Sequence, residues 1–305
     1  MRLVAALGGN ALLRRGERPD ALVQQHHIAA AARALAPLTA EHELIVTHGN
    51  GPQIGLLALE SEDDRSLSAP YPLDALGAQT QGMVGYWLSL ELEAAVAGLE
   101  VVSLVTRVEV DLDDPAFAAP VKFIGPGYDE ETAQHLAAQR GWSVAPDGQR
   151  WRRVVASPAP RRLVEAAHVV ELLRPGRVVV CAGGGGVPVA RQASGAFHGV
   201  EAVVDKDAAS CLLAEAVGAD ALLLLTDVEA VVADWGSASA RPIRSASPAE
   251  LSRRSFAAGS MGPKVAAACR FASQPGRRAA IGSLEQASDL LAGRAGTSVV
   301  AEPER

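Results

Sequence analysis

Short apolar runs alternate with longer segments of helical period along most of the chain. Each run is nearly continuous in hydrophobic residues, which is typical of a strand buried on both faces of a sheet. The runs are Arg2–Leu7, Leu44–Thr47, Val101–Val105, Arg177–Cys181, Ala221–Leu225 and Ala279–Ile281, with a last short strand at Ser298–Val300. The helical segments are Asp20–Ala36, Asp74–Ala97, Arg162–Leu173, Asp205–Val217 and Lys264–Ser273. This alternation predicts a three-layer α/β/α sandwich with a mostly parallel central sheet.

Residues from about 111 to 156 depart from this alternation. Proline and glycine recur in the stretch, as in Gly125-Pro126-Gly127, and its apolar segments are short. We therefore predict one domain over residues 1–305 that carries a small inserted lid subdomain at about 111–156. A lid that excludes water suits a reaction in which hydrolysis must be avoided.

The second predicted helix has a mainly apolar face. The residues of this face fall at spacings of three and four, and they are Leu76, Thr80, Met83, Trp87 and Leu90. Such a face packs either in the core of the chain or against a second subunit, and the pattern alone leaves both alternatives open.

Composition narrows the partners and the location of the protein. The chain is 49% hydrophobic, carries a formal charge of −7 and has its basic residues scattered, so nothing in it predicts binding of nucleic acid or of an anionic membrane. A small-molecule substrate is expected instead. Cys181, Cys211 and Cys269 lack zinc-site spacing and are expected as core thiols of a reducing compartment. Because the first apolar run is too short for a secretion signal and no run approaches roughly 18 apolar residues, we predict a cytoplasmic protein.

Three glycine-rich turns follow predicted strands. They are Gly8-Gly9-Asn10, Gly49-Asn50-Gly51 and the four glycines Gly183–Gly186. Any one of them could be only a tight turn, but parallel strands end at the same edge of a sheet, where ligands bind in open α/β folds. Backbone N–H groups in such turns can converge on a phosphate. The P-loop pattern is absent, and no GxGxxG opens a helix as a dinucleotide-binding enzyme requires, so a dehydrogenase is rejected.

Lysine is rare in this chain and stands only at special places. The chain has 28 lysine and arginine residues in total. Only Lys122, Lys206 and Lys264 among them are lysine, and the others are arginine. Each lysine lies beside proline, beside glycine or at the start of a predicted helix. Lys206 between Asp205 and Asp207 could belong to an ordinary acidic first turn. The scarcity favours another interpretation, in which compact ammonium groups contact phosphate oxygens.

A series of motifs resembles the carbamate kinases from end to end of the chain. The segments are GGNA, THGNGPQIG, YPLDALGAQTQGMVGYWL, VTRVEVDLDDPAF, VKFIGP, RRVVASPAP, GGGGVPV, GVEAVVDKDAAS, LLLTDVEAV and FAAGSMGPKVAAA, in that order. The resemblance implies the amino-acid kinase fold and a homodimer. It also implies reversible phosphoryl transfer between carbamoyl phosphate and ADP, giving ATP and carbamate, with Mg²⁺ bound to the nucleotide.

The resemblance also assigns roles to residues. Lys206 and Lys264 would flank the transferred phosphoryl group with Asp207 holding both, and Lys122 would reach the group when the lid closes. The expected substrate-binding residues are Gly8, Gly9, Asn10, Gly49, Asn50 and Gly51. The expected nucleotide-binding residues are Gly183, Gly184, Gly185, Gly186, Thr226 and Asp227. No protein ligand to the metal is expected, because nucleotide phosphates and water would hold Mg²⁺. His48 is expected to fix its turn by a hydrogen bond rather than to act as a base.

The chain also departs from its relatives in places. Most members of the fold have a lysine in the first strand, where this chain has Ala6-Leu7, so the resemblance implies that Lys122 supplies that charge. The segment Thr226–Gly236 lacks a glycine and a tyrosine of the usual TDVDGVYINFG, and VKFIGP replaces TKPIGP in the lid. Two alternatives stay open. Another small-acid kinase of this fold would carry the first-strand lysine, and a non-catalytic binding relative would have lost one of the three lysines.

Overall fold

A computed structural model of the protein describes residues 1–14, 16–237, 239–257 and 259–301, and of Asn10 the backbone alone. The helices are α1 (Ala21–Leu35), α2 (Gly51–Asp63), α3 (Leu73–Ala95), α4 (Glu130–Arg140), α5 (Ala166–Leu172), α6 (Lys206–Ala216), α7 (Pro248–Ser252), α8 (Met261–Ala272) and α9 (Ala287–Leu291). None of these helices is long and apolar enough to cross a membrane, within the residues described.

The strands are numbered in chain order. They are β1 (Arg2–Leu7), β2 (Glu43–His48), β3 (Glu100–Ser103), β4 (Arg107–Glu109), β5 (Lys122–Tyr128), β6 (Ser143–Asp147), β7 (Arg150–Val155), β8 (Arg162–Leu163), β9 (Arg177–Val180), β10 (Val187–Arg191), β11 (Phe197–Gly199), β12 (Ala221–Thr226), β13 (Val232–Ala233), β14 (Arg241–Pro242), β15 (Ser245–Ala246), β16 (Arg278–Ser283) and β17 (Thr297–Val300).

The central sheet confirms the predicted α/β fold. In the described chain it has eight strands in the order β15-β17-β16-β12-β1-β2-β9-β3, and only β17 runs antiparallel to its neighbour β16. Side chains alternate between two cores, because successive residues of a strand point to opposite faces. Ala6 and Leu224 pack with α6 and α8 on one face, while Leu7 and Leu225 pack with α1 and α3 on the other. The three layers follow from this double burial.

One predicted helix is partly wrong, and four observed helices, α2, α4, α7 and α9, were not predicted. The segment Arg162–Leu173 does not start as a helix, because Arg162 and Leu163 form β8, paired antiparallel with β4. Leu163 is buried there opposite Val108, and the helix α5 begins only at Ala166. Helix α2 was not predicted, although Pro52 suits its first turn.

A second, smaller sheet lies within residues 122–155. Strands β5, β7 and β6 pair antiparallel in that order, and α4 connects β5 to β6. We call these elements the small subdomain. It packs on α2 so closely that a Cβ added to Gly55 would lie 2.0 Å from the Gly125 Cα. The small subdomain falls within the stretch predicted as a lid, and its closing motion stays a prediction.

The apolar face predicted on the second helix mostly belongs to the core. On α3, Leu76 and Thr80 are buried, and Met83 and Trp87 pack against the core between α3 and the sheet. Only Leu90 of the predicted set is substantially exposed, at 47%. Tyr86, which is 59% exposed, lies one turn before it on the same outward stripe.

Candidate active site

The turns after β1 and β2 meet at one edge of the central sheet. The Gly8 N–H donates to the Leu225 carbonyl at 2.9 Å, and the Gly49 N–H donates to the Leu7 carbonyl at 3.0 Å. A Cβ added to Gly49 would lie 3.2 Å from the Gly9 nitrogen, so the two backbones approach closely there. A Cβ on Gly9 would meet nothing within 4 Å. The structure therefore brings these two predicted turns together and leaves open space above Gly9.

Two of the three lysines share one carboxylate beside these turns. Asp207 accepts from the Lys206 Nζ at 2.5 Å through Oδ1 and from the Lys264 Nζ at 3.1 Å through Oδ2. Lys206 and Asp207 open α6, while Lys264 lies in the first turn of α8, which packs against α6. The Lys206 side chain also reaches the turn after β2, since its Cδ would be 3.5 Å from a Cβ on Gly49.

Lys206, Asp207 and Lys264, called the trio below, have electrostatics that favour binding of an anion. Burial alone would raise the pKa of Asp207, but the two ammonium groups hold it below its usual value. Burial lowers the pKa of Lys206, and the attraction of Asp207 opposes that shift. With one carboxylate between two lysines, the trio carries one positive charge that has no carboxylate partner within it. A phosphate at the neighbouring turns would supply that partner.

The third lysine comes from the small subdomain. Lys122 is the first residue of β5, and its Nζ donates to the Asp205 Oδ2 at 2.6 Å. Asp205 is also the N-cap of α6, because its Oδ1 accepts from the backbone N–H groups of Asp207 at 2.9 Å and Ala208 at 3.1 Å. All three lysines of the chain are thus paired with carboxylates at the start of α6.

Asp205 was not among the predicted site residues. The available sequence signal was its place directly before a predicted helix, where aspartate is a favoured N-cap. Burial would raise the pKa of Asp205, but the Lys122 ammonium and the backbone N–H donors hold it well below its usual range. Asp205 is therefore an anion that serves two elements at once.

His48 fixes its turn, as expected. Its Nδ1 lies 2.9 Å from the Gly49 carbonyl oxygen, which can only accept, so Nδ1 carries the proton. Complete burial is the main cause that lowers the pKa of His48 to about 4. The imidazole is therefore neutral near pH 7 and is engaged with its own turn.

Asn50 points away from the turns and towards α3. Its Nδ2 donates to the Thr80 Oγ1 at 2.9 Å, and the residue is buried. Within this turn it is Gly49 whose backbone lies beside Gly9, while Gly51 faces the Phe123 carbonyl of the small subdomain. The side chain of Asn10 lies outside the described residues, so its substrate-binding role stays a prediction.

The four glycines after β9 pack against the turn after β2. A Cβ on Gly183 would lie 2.3 Å from the His48 Nε2, and one on Gly184 would lie 2.2 Å from the Asn50 Nδ2. Gly184, Gly185 and Gly186 also have positive φ angles of 63°, 91° and 86°, which glycine adopts at little cost. The glycines are thus required by packing and by backbone conformation.

Thr226 and Asp227 lie on the opposite side of the turns after β1 and β2 from the four glycines. Thr226 is the last residue of β12 and Asp227 follows it, and the Thr226 Oγ1 donates to the Asp227 Oδ1 at 3.1 Å. Strands β1 and β2 separate β12 from β9, which puts the two predicted nucleotide-binding groups about 14 Å apart along the edge. The structure does not bring Gly183–Gly186 together with Thr226 and Asp227.

A buried polar network supports the glycine loop, and sequence reasoning missed it. Gln81 on α3 bonds both backbone groups of Thr106, accepting from its N–H at 2.9 Å and donating to its carbonyl at 3.0 Å. The Thr106 Oγ1 accepts in turn from the Ala182 N–H at 2.7 Å. Ala182 has a positive φ of 51°, so this network holds a strained residue at the entrance to the loop.

Comparison with known proteins shows the family of this chain. Residues 1–283 match the amino acid kinase family. The chain belongs to that family.

Individual relatives narrow the class further. A carbamate kinase of Rhizobium meliloti (strain 1021) is 51% identical over 303 residues, which cover 98% of this chain and 93% of that protein. A solved structure of a carbamate kinase from Giardia lamblia bound to citric acid has a TM-score of 0.92 at 35% identity, covering 99% of this chain and 98% of the other. A structure of the Giardia lamblia enzyme bound to AMP-PNP has a TM-score of 0.86, with the same identity and coverage. The resemblance to carbamate kinases is confirmed, and with it the enzyme class, a phosphotransferase.

Proposed function

We propose that the protein transfers a phosphoryl group reversibly between carbamoyl phosphate and ADP, giving carbamate and ATP. The observation that carries this proposal is the trio Lys206–Asp207–Lys264 beside two glycine turns, in a chain that is similar to carbamate kinases over nearly its whole length. The trio supplies positive charge where the turns leave room for an anion.

The reaction requires the protein to position the two substrates and to neutralise the charge on the transferred phosphoryl group. The bond between the carbamoyl oxygen and phosphorus breaks, carbamate leaves with the electron pair, and an oxygen of the ADP β-phosphate forms the new bond to phosphorus. Because no hydroxyl loses a proton, no general base is needed, and the neutral, engaged His48 is consistent with that requirement. Lys206 and Lys264 would neutralise oxygens of the moving group, and Asp207 would keep the two lysines at a fixed separation.

The two substrates are assigned to different parts of the sheet edge. Carbamoyl phosphate is proposed to bind the backbone of Gly8, Gly9, Gly49 and Gly51, where Gly9 faces open space. The nucleotide is proposed to bind at the end of β12, near Thr226 and Asp227. The AMP-PNP complex of the Giardia lamblia relative supports nucleotide use in the family.

The four glycines after β9 receive a revised role. They were predicted to bind nucleotide, but Gly183 and Gly184 pack on His48 and Asn50. We assign them to the support of the carbamoyl phosphate side, because His48 and Asn50, which Gly183 and Gly184 approach, adjoin the turn after β2.

Magnesium is proposed to enter as part of the nucleotide substrate. Within the described residues, no group of three or more His, Cys, Asp or Glu side chains could hold a metal ion. Asp205 and Asp207 are bonded to lysines. Phosphate oxygens of the nucleotide and water, which Mg²⁺ commonly keeps, are the proposed ligands.

The chain is also proposed to form a cytoplasmic homodimer. Tyr86 and Leu90 expose an apolar stripe on α3, next to β3 at the edge of the central sheet, and the exposed Val105 follows that strand. The three cysteines are buried free thiols, which suits a reducing compartment.

We expect Leu90→Asp to shift the sedimentation coefficient from dimer to monomer. Leu22→Asp, at a leucine on α1 that is 80% exposed, is the matched control and should leave the dimer intact. A wild-type monomer at micromolar concentration would refute the proposal.

Two other functions find less support. Another small-acid kinase of this fold would need the first-strand lysine, and Ala6 and Leu7 are both fully buried here. A non-catalytic relative would have lost a lysine, whereas all three are paired at the start of α6.

The deciding experiment measures ATP formed from ADP and carbamoyl phosphate in the presence of Mg²⁺ by a coupled assay. Acetyl phosphate serves as the competing donor, and Lys206→Ala serves as the control for contaminating kinase. We expect ATP from carbamoyl phosphate at a rate far above that from acetyl phosphate. Faster turnover of acetyl phosphate, or no ATP from either donor, would overturn the proposed function.

A further inference from the structure

The base of the small subdomain meets the rest of the chain beside the trio Lys206–Asp207–Lys264. Lys122 begins β5 and lies opposite Val155 in the register with β7. Directly after β7, the Ala156 carbonyl accepts from the Val203 N–H at 3.0 Å. Two residues after Val203, Asp205 accepts from Lys122 at 2.6 Å. A backbone hydrogen bond and an ion pair thus attach the same end of the subdomain to one short segment before α6.

Asp205 divides its two oxygens between two tasks. Oδ1 accepts the backbone N–H groups of the first turn of α6, and Oδ2 accepts the Lys122 ammonium. The orientation of the carboxylate is therefore set by α6, the helix that also carries Lys206 and Asp207. Because the cap fixes the carboxylate, the direction from which Lys122 approaches is fixed relative to Lys206.

We propose that Asp205 is a positioning residue. It holds Lys122 at a fixed place relative to Lys206 and Lys264, so that the Lys122 ammonium is ready to contact the transferred phosphoryl group. This inference rests on the proposed function, since it gives Lys122 a task in phosphoryl transfer. Asp205 itself would not touch the substrate, because its oxygens are occupied by the helix cap and by the lysine. The lid lysine is then not carried in by a large motion but is kept at the base of the small subdomain.

The substitution Asp205→Asn separates the two tasks. Asparagine is also a good N-cap, so its side-chain oxygen keeps the bonds to the first turn of α6, while the ion pair to Lys122 is lost. We expect kcat to fall about tenfold, the scale of one hydrogen bond to a charged group, with KM for carbamoyl phosphate changed less than about twofold. Asp129→Asn makes the same change at the N-cap of α4 and should leave kcat unchanged.

A double-mutant cycle with Lys122→Ala tests whether Asp205 acts through Lys122. If it does, Asp205→Asn costs nothing further once Lys122 is alanine, and the double variant matches Lys122→Ala in kcat. Additive losses would overturn the proposal, because Asp205 would then act on the site by another route. Wild-type kcat in Asp205→Asn would overturn it as well.

Hydrogen exchange of the small subdomain gives a readout that does not depend on activity. We expect the backbone amides of Lys122–Tyr128 to exchange several-fold faster in Asp205→Asn and in Lys122→Ala, to the same degree, because both remove one ion pair. Unchanged exchange in both variants would overturn the positioning role. Failure of the proposed function reads differently, since the wild-type protein would then make no ATP from carbamoyl phosphate whatever the exchange rates are.

Discussion

The central sheet and the small subdomain are held in place by different forces. In β1, β2 and β12, five of the six residues of each strand are buried. In β5 the single buried residue is Ile124, and in β6 no residue is fully buried. Apolar burial on both faces makes the central sheet a rigid support for the glycine turns and the lysine trio. The small subdomain has less of that burial, since only Ile124 and Val155 join an apolar cluster with residues of α2 and α3, and polar contacts add to this attachment.

Those polar contacts are concentrated at two places. Glu62 on α2 accepts from Arg153 at 2.8 Å, from Arg140 at 3.0 Å and from the Trp142 indole at 3.2 Å. Asp205 holds Lys122 at the base. Ion pairs with partial solvent access contribute little each, so local opening of the small subdomain should cost far less free energy than global unfolding. This difference supports the predicted lid motion, in which the small subdomain would open while the site below it keeps its shape.

The largest expected effect on kcat comes from substitutions in the trio, which the rigid central sheet supports. Lys206→Ala or Lys264→Ala should lower kcat on the order of a hundredfold or more, because each removes a preorganised charge from the transition state. Steady-state kinetics measure the loss, and circular dichroism checks that the variants are folded. Near-normal turnover in both variants would show that the trio is not the catalytic group.

Acid should weaken the rigid side through His48. Its pKa is about 4 in the folded protein against about 6.5 in the unfolded chain, so between these values the unfolded state binds more protons. The free energy of unfolding should therefore fall by about 3 kcal/mol as pH drops from about 6.5 to 4. Urea unfolding at several pH values tests this, with His48→Asn as the comparison. The variant should be less stable at pH 7 but lose less on acidification, whereas identical slopes would contradict the assignment.

Lys122→Ala tests the lid side of the site. The Lys122 side chain is 27% exposed against 9% for Lys206, so solvent screens its charge more and the loss in kcat should be smaller, on the order of tenfold to a hundredfold. ADP affinity should stay nearly unchanged, because the nucleotide is assigned to the end of β12. Calorimetry of ADP binding beside kinetics separates the two quantities. A collapse of ADP affinity in step with kcat would mean that Lys122 holds the nucleotide or the fold.

The smallest effect on catalysis is expected at the attachment to α2. Glu62→Gln removes the charge that Arg140 and Arg153 share, so amides of β6 and β7 should exchange several-fold faster while kcat changes less than about threefold. Glu131→Gln, at an exposed residue of α4, is the matched control. Equal exchange in the two variants would show that Glu62 does not fasten the small subdomain.

Most of the fold could be predicted because its signals are local. A strand such as β1 is recognised from its own apolar run, and the turns after β1 and β2 from their glycines. The segment Arg162–Leu173 failed because its local pattern suits a helix, while pairing with β4 draws Arg162 and Leu163 into a strand. Contact with a distant strand is invisible in a window of neighbouring residues.

The candidate site divides in the same way between sequence and structure. By itself the sequence determined the three lysines, the glycine turns and the order of the elements that carry them, since these depend on residue type and short-range spacing. Only the tertiary structure decided that Lys122 bonds to Asp205 and that Lys206 and Lys264 share Asp207. The physical reason is that a charged side chain takes whichever partner the packing of separate elements brings within about 3 Å, and residue type alone does not select that partner among the 35 acidic residues of the chain.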